Sequence, residues 1–163
     1  MPLEIERKFL VRNEGWRENV RESYAIRQGY LMRGKRATVR IRRARDKGFI
    51  TIKGAKSEIS RAEFEYEIPV EEADEMLDTL VSGQVIEKHR HLVVHDGRVW
   101  EIDEFARPRR GLVLAEIELE SADEEISLPD WAGEEVTENP SYGNAMMSAP
   151  ADAPQIVARA SGS

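Results

Sequence analysis

The chain has 163 residues, the size of one domain, and it contains no cysteine, which excludes disulfides, thiolate metal sites and cysteine nucleophiles. Its net charge of -7 argues against general affinity for nucleic acid or anionic membranes, so a bound anion must be captured locally. No apolar run reaches the ~20 residues that span a bilayer, and no signal sequence is recognisable, so we expect a cytoplasmic protein with no nucleic-acid or membrane partner.

Eight segments show the alternation, or the β-branched and aromatic content, that is typical of β-strands. They cover roughly residues 2–11, 24–32, 36–45, 49–54, 62–68, 84–94, 98–105 and 112–120. The short connections DKG after Arg45 and HDG before Arg98 are typical of hairpin turns. The spacing therefore predicts an antiparallel meander.

Helices are predicted at three places. The segment 71–82 has acidic residues in its first turn, an apolar stripe and Gly83 after its end. Shorter helices are predicted at about 14–20 and 141–148. The segment 149–163 is rich in Ala, Pro, Ser and Gly, which predicts a disordered tail after a single domain at 1–148.

Charged side chains recur at every second position of these strands, which places them on one face. The wet face of an ordinary sheet explains any one of these strands. However, some strands carry only bases and others only acids, and a row of carboxylates is unfavourable unless a cation lies among them. The residues concerned are Glu4, Glu6 and Lys8; Arg40 and Arg42; Lys53; Glu63, Glu65 and Glu67; Lys88 and Arg90; Glu101 and Asp103; and Glu116, Glu118 and Glu120.

A closed barrel gives this alternation a chemical use. If the eight strands close, the charged face becomes the lumen and the apolar face turns outward, where helices can cover it. Lysine and arginine bind phosphate oxygens, and clustered carboxylates bind hard divalent cations. The pattern therefore favours a lumen that binds a metal-chelated oligophosphate.

Taken together, these motifs resemble the CYTH superfamily, the triphosphate tunnel metalloenzymes, and in particular its short bacterial members. The resemblance covers about residues 1–148 and includes VTENPSYGNAMM, which is similar to a C-terminal plug helix. It implies an α+β fold, an eight-stranded antiparallel β-barrel (tunnel) with helices packed outside and the plug helix at one mouth. It also implies hydrolysis of inorganic triphosphate, or of a nucleoside triphosphate, that depends on Mg²⁺ or Mn²⁺.

The resemblance also assigns roles to residues. Pro140 and Ser141 stand where a basic residue is expected near the plug. Which carboxylate accepts the proton is left open, and the candidates are Glu6, Glu65 and Glu118. The implied triphosphate ligands are Lys8, Arg40, Arg42, Lys53, Lys88 and Arg90, and Lys8 is also implied to be catalytic. The implied metal ligands are Glu4, Glu6, Glu116 and Glu118. The residues that would orient bases or water are Glu63, Glu65 and Asp103, and the residues that match the plug are Tyr142 and Asn144.

Two other functions remain open. A class IV adenylyl cyclase would bind a metal-triphosphate group in the same way, but no separate adenine pocket is visible in the sequence. A polyphosphate-binding module without turnover would gain little from so many carboxylates. The physiological substrate, the preferred metal and the oligomeric state are not determined by these patterns.

Three weaker motifs do not change this interpretation. Gly29 to Lys35 has the letters of a P-loop, but Arg36 replaces the Ser or Thr that would bind magnesium. His89 and His91 alternate with Lys88 and Arg90, so we expect them on the outer face of the barrel. The basic run from 33 to 47 has too few aromatic residues for a typical RNA-binding surface.

Overall fold

The computed structural model describes residues 2–57 and 59–149. The eight long strands are β1 (Leu3–Val11), β2 (Val20–Arg33), β3 (Ala37–Ala44), β4 (Lys47–Gly54), β5 (Ser60–Ile68), β6 (Ile86–His95), β7 (Arg98–Arg107) and β8 (Val113–Glu118). Neighbouring strands follow the order β5-β4-β3-β2-β6-β7-β8-β1, all pairs are antiparallel, and β1 also pairs with β5. The sheet therefore closes, and the predicted eight-stranded antiparallel β-barrel is confirmed.

Strand β1 closes the barrel because it pairs with different strands along its length. Its start, residues 3–5, pairs with β5, and residues 6–10 pair with β8. Its end pairs with a short additional strand, β9 (Ala132–Glu135). The sequence AGEE of β9 has no β-branched or aromatic residue, so strand propensity does not predict it. Backbone pairing to the free side of β1 determines its position.

The apolar face of the barrel wall points outward, as expected, and later segments cover it. Trp16 and Trp131 pack with Phe9 and Trp100 on one side. On another side, helix α1 (Val70–Thr79) places Leu77 against Ile41. The core is therefore a layer between the barrel wall and its covering segments, which leaves the lumen to polar groups.

The helices differ from their predicted bounds by a few residues or in type. The segment predicted as helix at 71–82 is α1, and the one at 14–20 is a 3-10 helix, Gly15–Asn19. The segment at 141–148 forms a 3-10 helix, Pro140–Tyr142, followed by α2 (Asn144–Met147). None of the helices in the described part of the chain has the length and apolar content needed to cross a membrane. Apart from Ala149, the predicted tail at 149–163 lies outside the described residues.

The plug, defined here as residues 139–148, fills one end of the lumen. Tyr142 and Met147 are buried there among Ile86, Phe105 and Leu114. These three barrel residues lie at even spacing from the lumen residues Lys88, Asp103 and Glu116, so they share the inner face. The lumen is consequently blind at the plug and open at the opposite end.

Candidate functional site

A cavity of about 390 Å³ lies inside the barrel. Because side chains alternate along each strand, the charged positions of separate strands converge on it. At its open end, Glu65, Glu101 and Glu118 are partly exposed. The cavity is lined by Glu4, Glu6, Arg40, Arg42, Lys53, Glu63, Glu65, Arg90, Val99, Glu101, Glu116, Glu118 and Asn144.

The strand order separates the charges of the wall into two arcs. Strands β4, β3, β2 and β6 are consecutive in the ring and form the cationic arc, with Lys53, Arg40, Arg42, Lys88 and Arg90. Strands β7, β8, β1 and β5 complete the ring and form the acidic arc, with Glu101, Asp103, Glu116, Glu118, Glu4, Glu6, Glu63 and Glu65. Lys8 on β1 is a cation within the acidic arc.

Ion pairs neutralise the charges where the two arcs meet. At one border, Arg90 Nε and Nη2 donate to the two oxygens of Asp103 at 2.8 and 2.9 Å. At the other border, Lys53 Nζ lies 2.8 Å from Glu4 Oε1 and 3.5 Å from Glu63 Oε2. The remaining charges, in the middle of each arc, determine what the cavity can bind.

Arg42 lies in the middle of the cationic arc without an acidic partner. Its Nε donates to the neutral Gln28 Oε1 at 2.7 Å, and within residues 2–57 and 59–149 no carboxylate lies within 4.0 Å of its guanidinium. Burial, with the neighbouring cations Arg40 and Arg90, lowers the pKa of Arg42 to about 10. The site therefore favours an added anion.

Glu6 occupies the corresponding position in the acidic arc. Burial, together with the carboxylates of Glu116 and Glu4, raises the pKa of Glu6 to about 8. Burial also raises the pKa of Glu118 at the open end, and Glu4 adds to the effect. This arc holds more negative charge than the protein neutralises, which favours an added cation.

The carboxylates of the acidic arc fit a hard divalent cation by their chemistry. Oxygen ligands at Glu4, Glu6, Glu116 and Glu118 suit Mg²⁺ or Mn²⁺. In the described part of the chain, no three acidic or histidine side chains already lie close enough together to hold an ion. Two of the four carboxylates are engaged by lysines instead, Glu4 by Lys53 at 2.8 Å and Glu116 by Lys8 at 3.2 Å. Metal binding therefore requires these carboxylates to share or exchange their lysine partners.

Lys8, Lys88 and Asp103 lie behind the cavity wall, toward the plug. Lys8 Nζ donates to the Tyr142 carbonyl at 3.0 Å, and Lys88 Nζ lies 2.7 Å from Asp103 Oδ2. Burial lowers the pKa of Lys88 to about 7 although Asp103 opposes this shift. Burial disfavours the ionised form of Asp103, but Arg90 and Lys88 outweigh it and hold the pKa of Asp103 well below its usual range. These groups connect the cavity to the plug.

Basic residues from the barrel hold the plug in place. Arg33 Nε donates to the Ala145 carbonyl at 3.1 Å, and its Nη2 donates to the Ser148 carbonyl at 2.5 Å. Arg109 Nη1 donates to the Ser141 carbonyl at 3.2 Å. The positive charge missing at Pro140 and Ser141 is thus supplied from β2 and from the loop after β7.

Some residues at the site could not be recognised from charge alternation. Gln28 and Thr51 are neutral, yet they orient Arg42 and Arg40 through hydrogen bonds of 2.7 and 3.2 Å. Glu101, by contrast, alternates with the charged Asp103 in the sequence, so its position on the cavity wall could be predicted. Glu120 follows the end of β8 and does not line the cavity.

The two central histidines lie on the outer face, as expected. His89 borders a groove outside the barrel, and His91 Nε2 lies 2.7 Å from Glu104 Oε1. They take no part in the cavity.

Comparison with known proteins agrees with this architecture. The CYTH domain model matches residues 2–149. The inorganic triphosphatase of Acetivibrio thermocellus is 45% identical over 144 residues, which cover 88% of this chain and 92% of the relative. The inorganic triphosphatase of Nitrosomonas europaea is 37% identical over 145 residues, with 86% and 93% covered. A solved structure of an inorganic triphosphatase matches with a TM-score of 0.65 at 33% identity, covering 89% of this chain and 97% of that one. The chain therefore belongs to the CYTH family.

Proposed function

We propose that this protein is a divalent-metal-dependent triphosphatase that hydrolyses inorganic triphosphate, with nucleoside triphosphates as secondary substrates. One observation supports this most directly: Arg42, which lacks an acidic partner, and Glu6, whose carboxyl group has no ion-pair partner among the described residues, line the same cavity. A metal-chelated polyphosphate supplies both missing charges at once. Two relatives named inorganic triphosphatase support the same choice of substrate.

Substrate binding would use the two arcs for different parts of the ligand. Arg40, Arg42, Lys53 and Arg90 would bind the phosphate oxygens, and the arginines can do so with two parallel hydrogen bonds. Mg²⁺ or Mn²⁺ would be held by Glu4, Glu6, Glu116 and Glu118. When bound, the metal would supply charge neutralisation and lower the pKa of a water molecule that it binds.

Hydrolysis would take place between the arcs. The oxygen of a water molecule forms a bond to phosphorus while the anhydride P–O bond breaks, and a carboxylate of the wall accepts the proton. Glu6, Glu65 and Glu118 all line the cavity, and the raised pKa values of Glu6 and Glu118 suit a proton acceptor. The cationic arc stabilises the negative charge that develops on the leaving group.

A single product panel tests this proposal. Purified protein is incubated with inorganic triphosphate or ATP, with Mg²⁺, with Mn²⁺ or with a chelator, and phosphate, pyrophosphate and cyclic AMP are measured. We expect phosphate and pyrophosphate from triphosphate, and no turnover with the chelator. Cyclic AMP from ATP would identify a cyclase, and binding of triphosphate without any product would identify a non-catalytic module.

A further inference from the structure

The plug places one side chain on the wall of the cavity. Asn144 is the first residue of α2 and lines the cavity at its blind end. Its Oδ1 lies 3.3 Å from Lys88 Nζ. Asn144 is therefore in contact both with a lysine of the cationic arc and with the space in which a ligand would lie.

Lys88 determines the orientation of the Asn144 amide. The amide oxygen of Asn144, and not its nitrogen, faces Lys88 and accepts a hydrogen bond from Nζ. Lys88 is itself fixed, because its side chain is fully buried and its Nζ lies 2.7 Å from Asp103 Oδ2. The Nδ2 group of Asn144 therefore points away from Lys88, and among the described residues it donates to no protein acceptor.

The backbone around Asn144 is held on both sides. Lys8 Nζ donates to the Tyr142 carbonyl at 3.0 Å, and Arg33 Nε donates to the Ala145 carbonyl at 3.1 Å. Met147, one turn further on, is buried in the apolar cluster at the end of the lumen. Asn144 is thus a neutral donor held in position at the end of a charged cavity.

We propose that Asn144 is a substrate-binding residue, whose Nδ2 group donates a hydrogen bond to the phosphate nearest the plug. This inference rests on the proposed function, because it requires the cavity to bind a phosphate chain. Lys8 and Lys88 lie behind this end of the cavity wall and add positive charge to it, and the Asn144 amide presents a donor on the wall itself. The blind end therefore selects a phosphate group, while the metal is held by the acidic arc.

Two substitutions separate substrate binding from a purely structural role. Asn144→Asp keeps an oxygen for Lys88 but replaces the donor with a charge that repels phosphate, so we expect the KM for triphosphate to rise about tenfold or more. The melting temperature of the ligand-free protein should not fall. Asn144→Ala should raise KM by a smaller factor, because it removes the donor without adding a charge. If Asn144 only joins the plug to Lys88, Asn144→Ala will lower the melting temperature and keep the KM of the parent, and the proposal is wrong.

Asn139→Asp is the matched control. It adds the same charge to the plug, keeps the oxygen that accepts from the Ser141 backbone N–H at 3.0 Å, and does not line the cavity. We expect its KM to equal that of the parent. If both Asn144 variants behave like this control, the proposal is wrong.

Calorimetric titration of triphosphate into metal-free protein distinguishes failure of this inference from failure of the proposed function. A parent that binds triphosphate in this titration but releases no product in the assay with Mg²⁺ or Mn²⁺ would overturn the hydrolase, while the dissociation constants of the Asn144 variants would still decide the role of Asn144. Unchanged dissociation constants in both variants would overturn the Asn144 assignment alone. A parent that neither binds nor hydrolyses triphosphate would overturn both.

Discussion

Arg42 and Glu6 show how neighbouring residues decide what a charged side chain can do. Both are lumen residues on strands with similar alternation, but the neighbours of Arg42 include the neutral Gln28 and two further arginines, and burial with these arginines outweighs the effect of Asp103 and Glu101. The neighbours of Glu6 include the carboxylates of Glu4 and Glu116. In each case the neighbouring residues do not fully compensate the charge of the side chain, so binding of a ligand of opposite charge is favoured.

Replacing Arg42 should weaken substrate binding without destabilising the fold. Arg42→Gln removes a half-buried cation that lies beside Arg40 and Arg90, so the ligand-free protein should melt at the same or a higher temperature. Loss of a charge-assisted hydrogen bond should raise the KM for triphosphate roughly 10- to 100-fold. Steady-state kinetics and thermal melting measure the two effects.

The matched control for this prediction is Arg27→Gln. Arg27 lies on the exterior, where it pairs with Asp78 at 2.8 Å. We expect a parent-like KM from this variant, since exposed ion pairs contribute little. If Arg42→Gln unfolded the protein and left triphosphate affinity normal, Arg42 would be a structural residue.

Glu6 should make the stability of the metal-free protein depend on pH. Its folded pKa of about 8 lies above the ordinary value of 4.5, so its contribution to stability is fully present below pH 4.5 and is lost as the pH rises through 8. Glu6→Gln cannot ionise and loses nothing over this range. The stability of the variant relative to the parent should therefore increase between about pH 4.5 and 8 and stay constant above.

Urea unfolding with a chelator at pH 5, 7 and 9 measures this difference. Glu120→Gln, which removes an exposed carboxylate outside the cavity, is the control and should show no such trend. A difference between Glu6→Gln and the parent that stays constant with pH would show that Glu6 is already compensated in the folded protein.

At the scale of elements, the sequence was sufficient where a repeated spacing carries the information. Period-two alternation predicted the eight strands and placed Arg40 and Arg42 on the lumen side, as the structure confirms. It could not reveal Gln28, because β2 carries neutral and apolar side chains toward the lumen. It could not predict β9 either, since backbone pairing to β1 determines this strand. Arg33 and Arg109 donate hydrogen bonds to backbone carbonyls of the plug. Because every residue has a backbone carbonyl, the sequence cannot predict these contacts.

Helix α1 packs tightly against the barrel at Gly48 on β4. A Cβ atom at Gly48 would lie 2.6 Å from the Cβ of Ala73 and 3.2 Å from the Ile68 carbonyl oxygen. Gly48→Ala should therefore force the helix away from the strand and lower the free energy of unfolding by about 1–3 kcal/mol. Chemical denaturation of parent and variant provides the measurement.

Gly54→Ala tests whether this effect is specific to the contact with α1. On the same strand, a Cβ at Gly54 would lie 3.4 Å from the Cβ of Ala62, an ordinary contact distance. We expect a smaller loss of stability in this variant than in Gly48→Ala. Equal losses of stability in the two variants would mean that the effect comes from replacing a strand glycine in general and not from the contact with α1.

For the whole molecule, closure of the barrel is what makes the two arcs. Sequence motifs identify which residues face the lumen, but strand order decides that β7, β8, β1 and β5 are consecutive, and β1 to β5 pairing completes the ring. Ion pairs at the borders hold the arcs together, and the middle of each arc retains unneutralised charge. Stability and ligand binding are therefore coupled through the same charges.

Glu118→Gln tests this coupling at the open end of the acidic arc. The substitution keeps the size of the side chain but removes the charge and a strong oxygen ligand. Burial and Glu4 raise the pKa of Glu118, so its ionised form is disfavoured in the ligand-free protein. Without ligands, the variant should therefore be as stable as the parent or slightly more stable.

With metal and triphosphate the order should reverse. A ligand that binds only the folded state stabilises it in proportion to the logarithm of its affinity, so each tenfold loss of affinity removes about 1.4 kcal/mol of stabilisation. In a domain of this size that corresponds to a smaller thermal shift by roughly 3–6 °C. Melting curves of parent, Glu118→Gln and Glu120→Gln with and without Mn²⁺ and triphosphate, together with phosphate release, measure both responses.

Glu120 does not line the cavity, so Glu120→Gln should keep the full shift. If Glu118→Gln also kept the full shift and parent-like turnover, Glu118 would not bind metal, and the acidic arc would have to hold its cation through Glu4, Glu6 and Glu116.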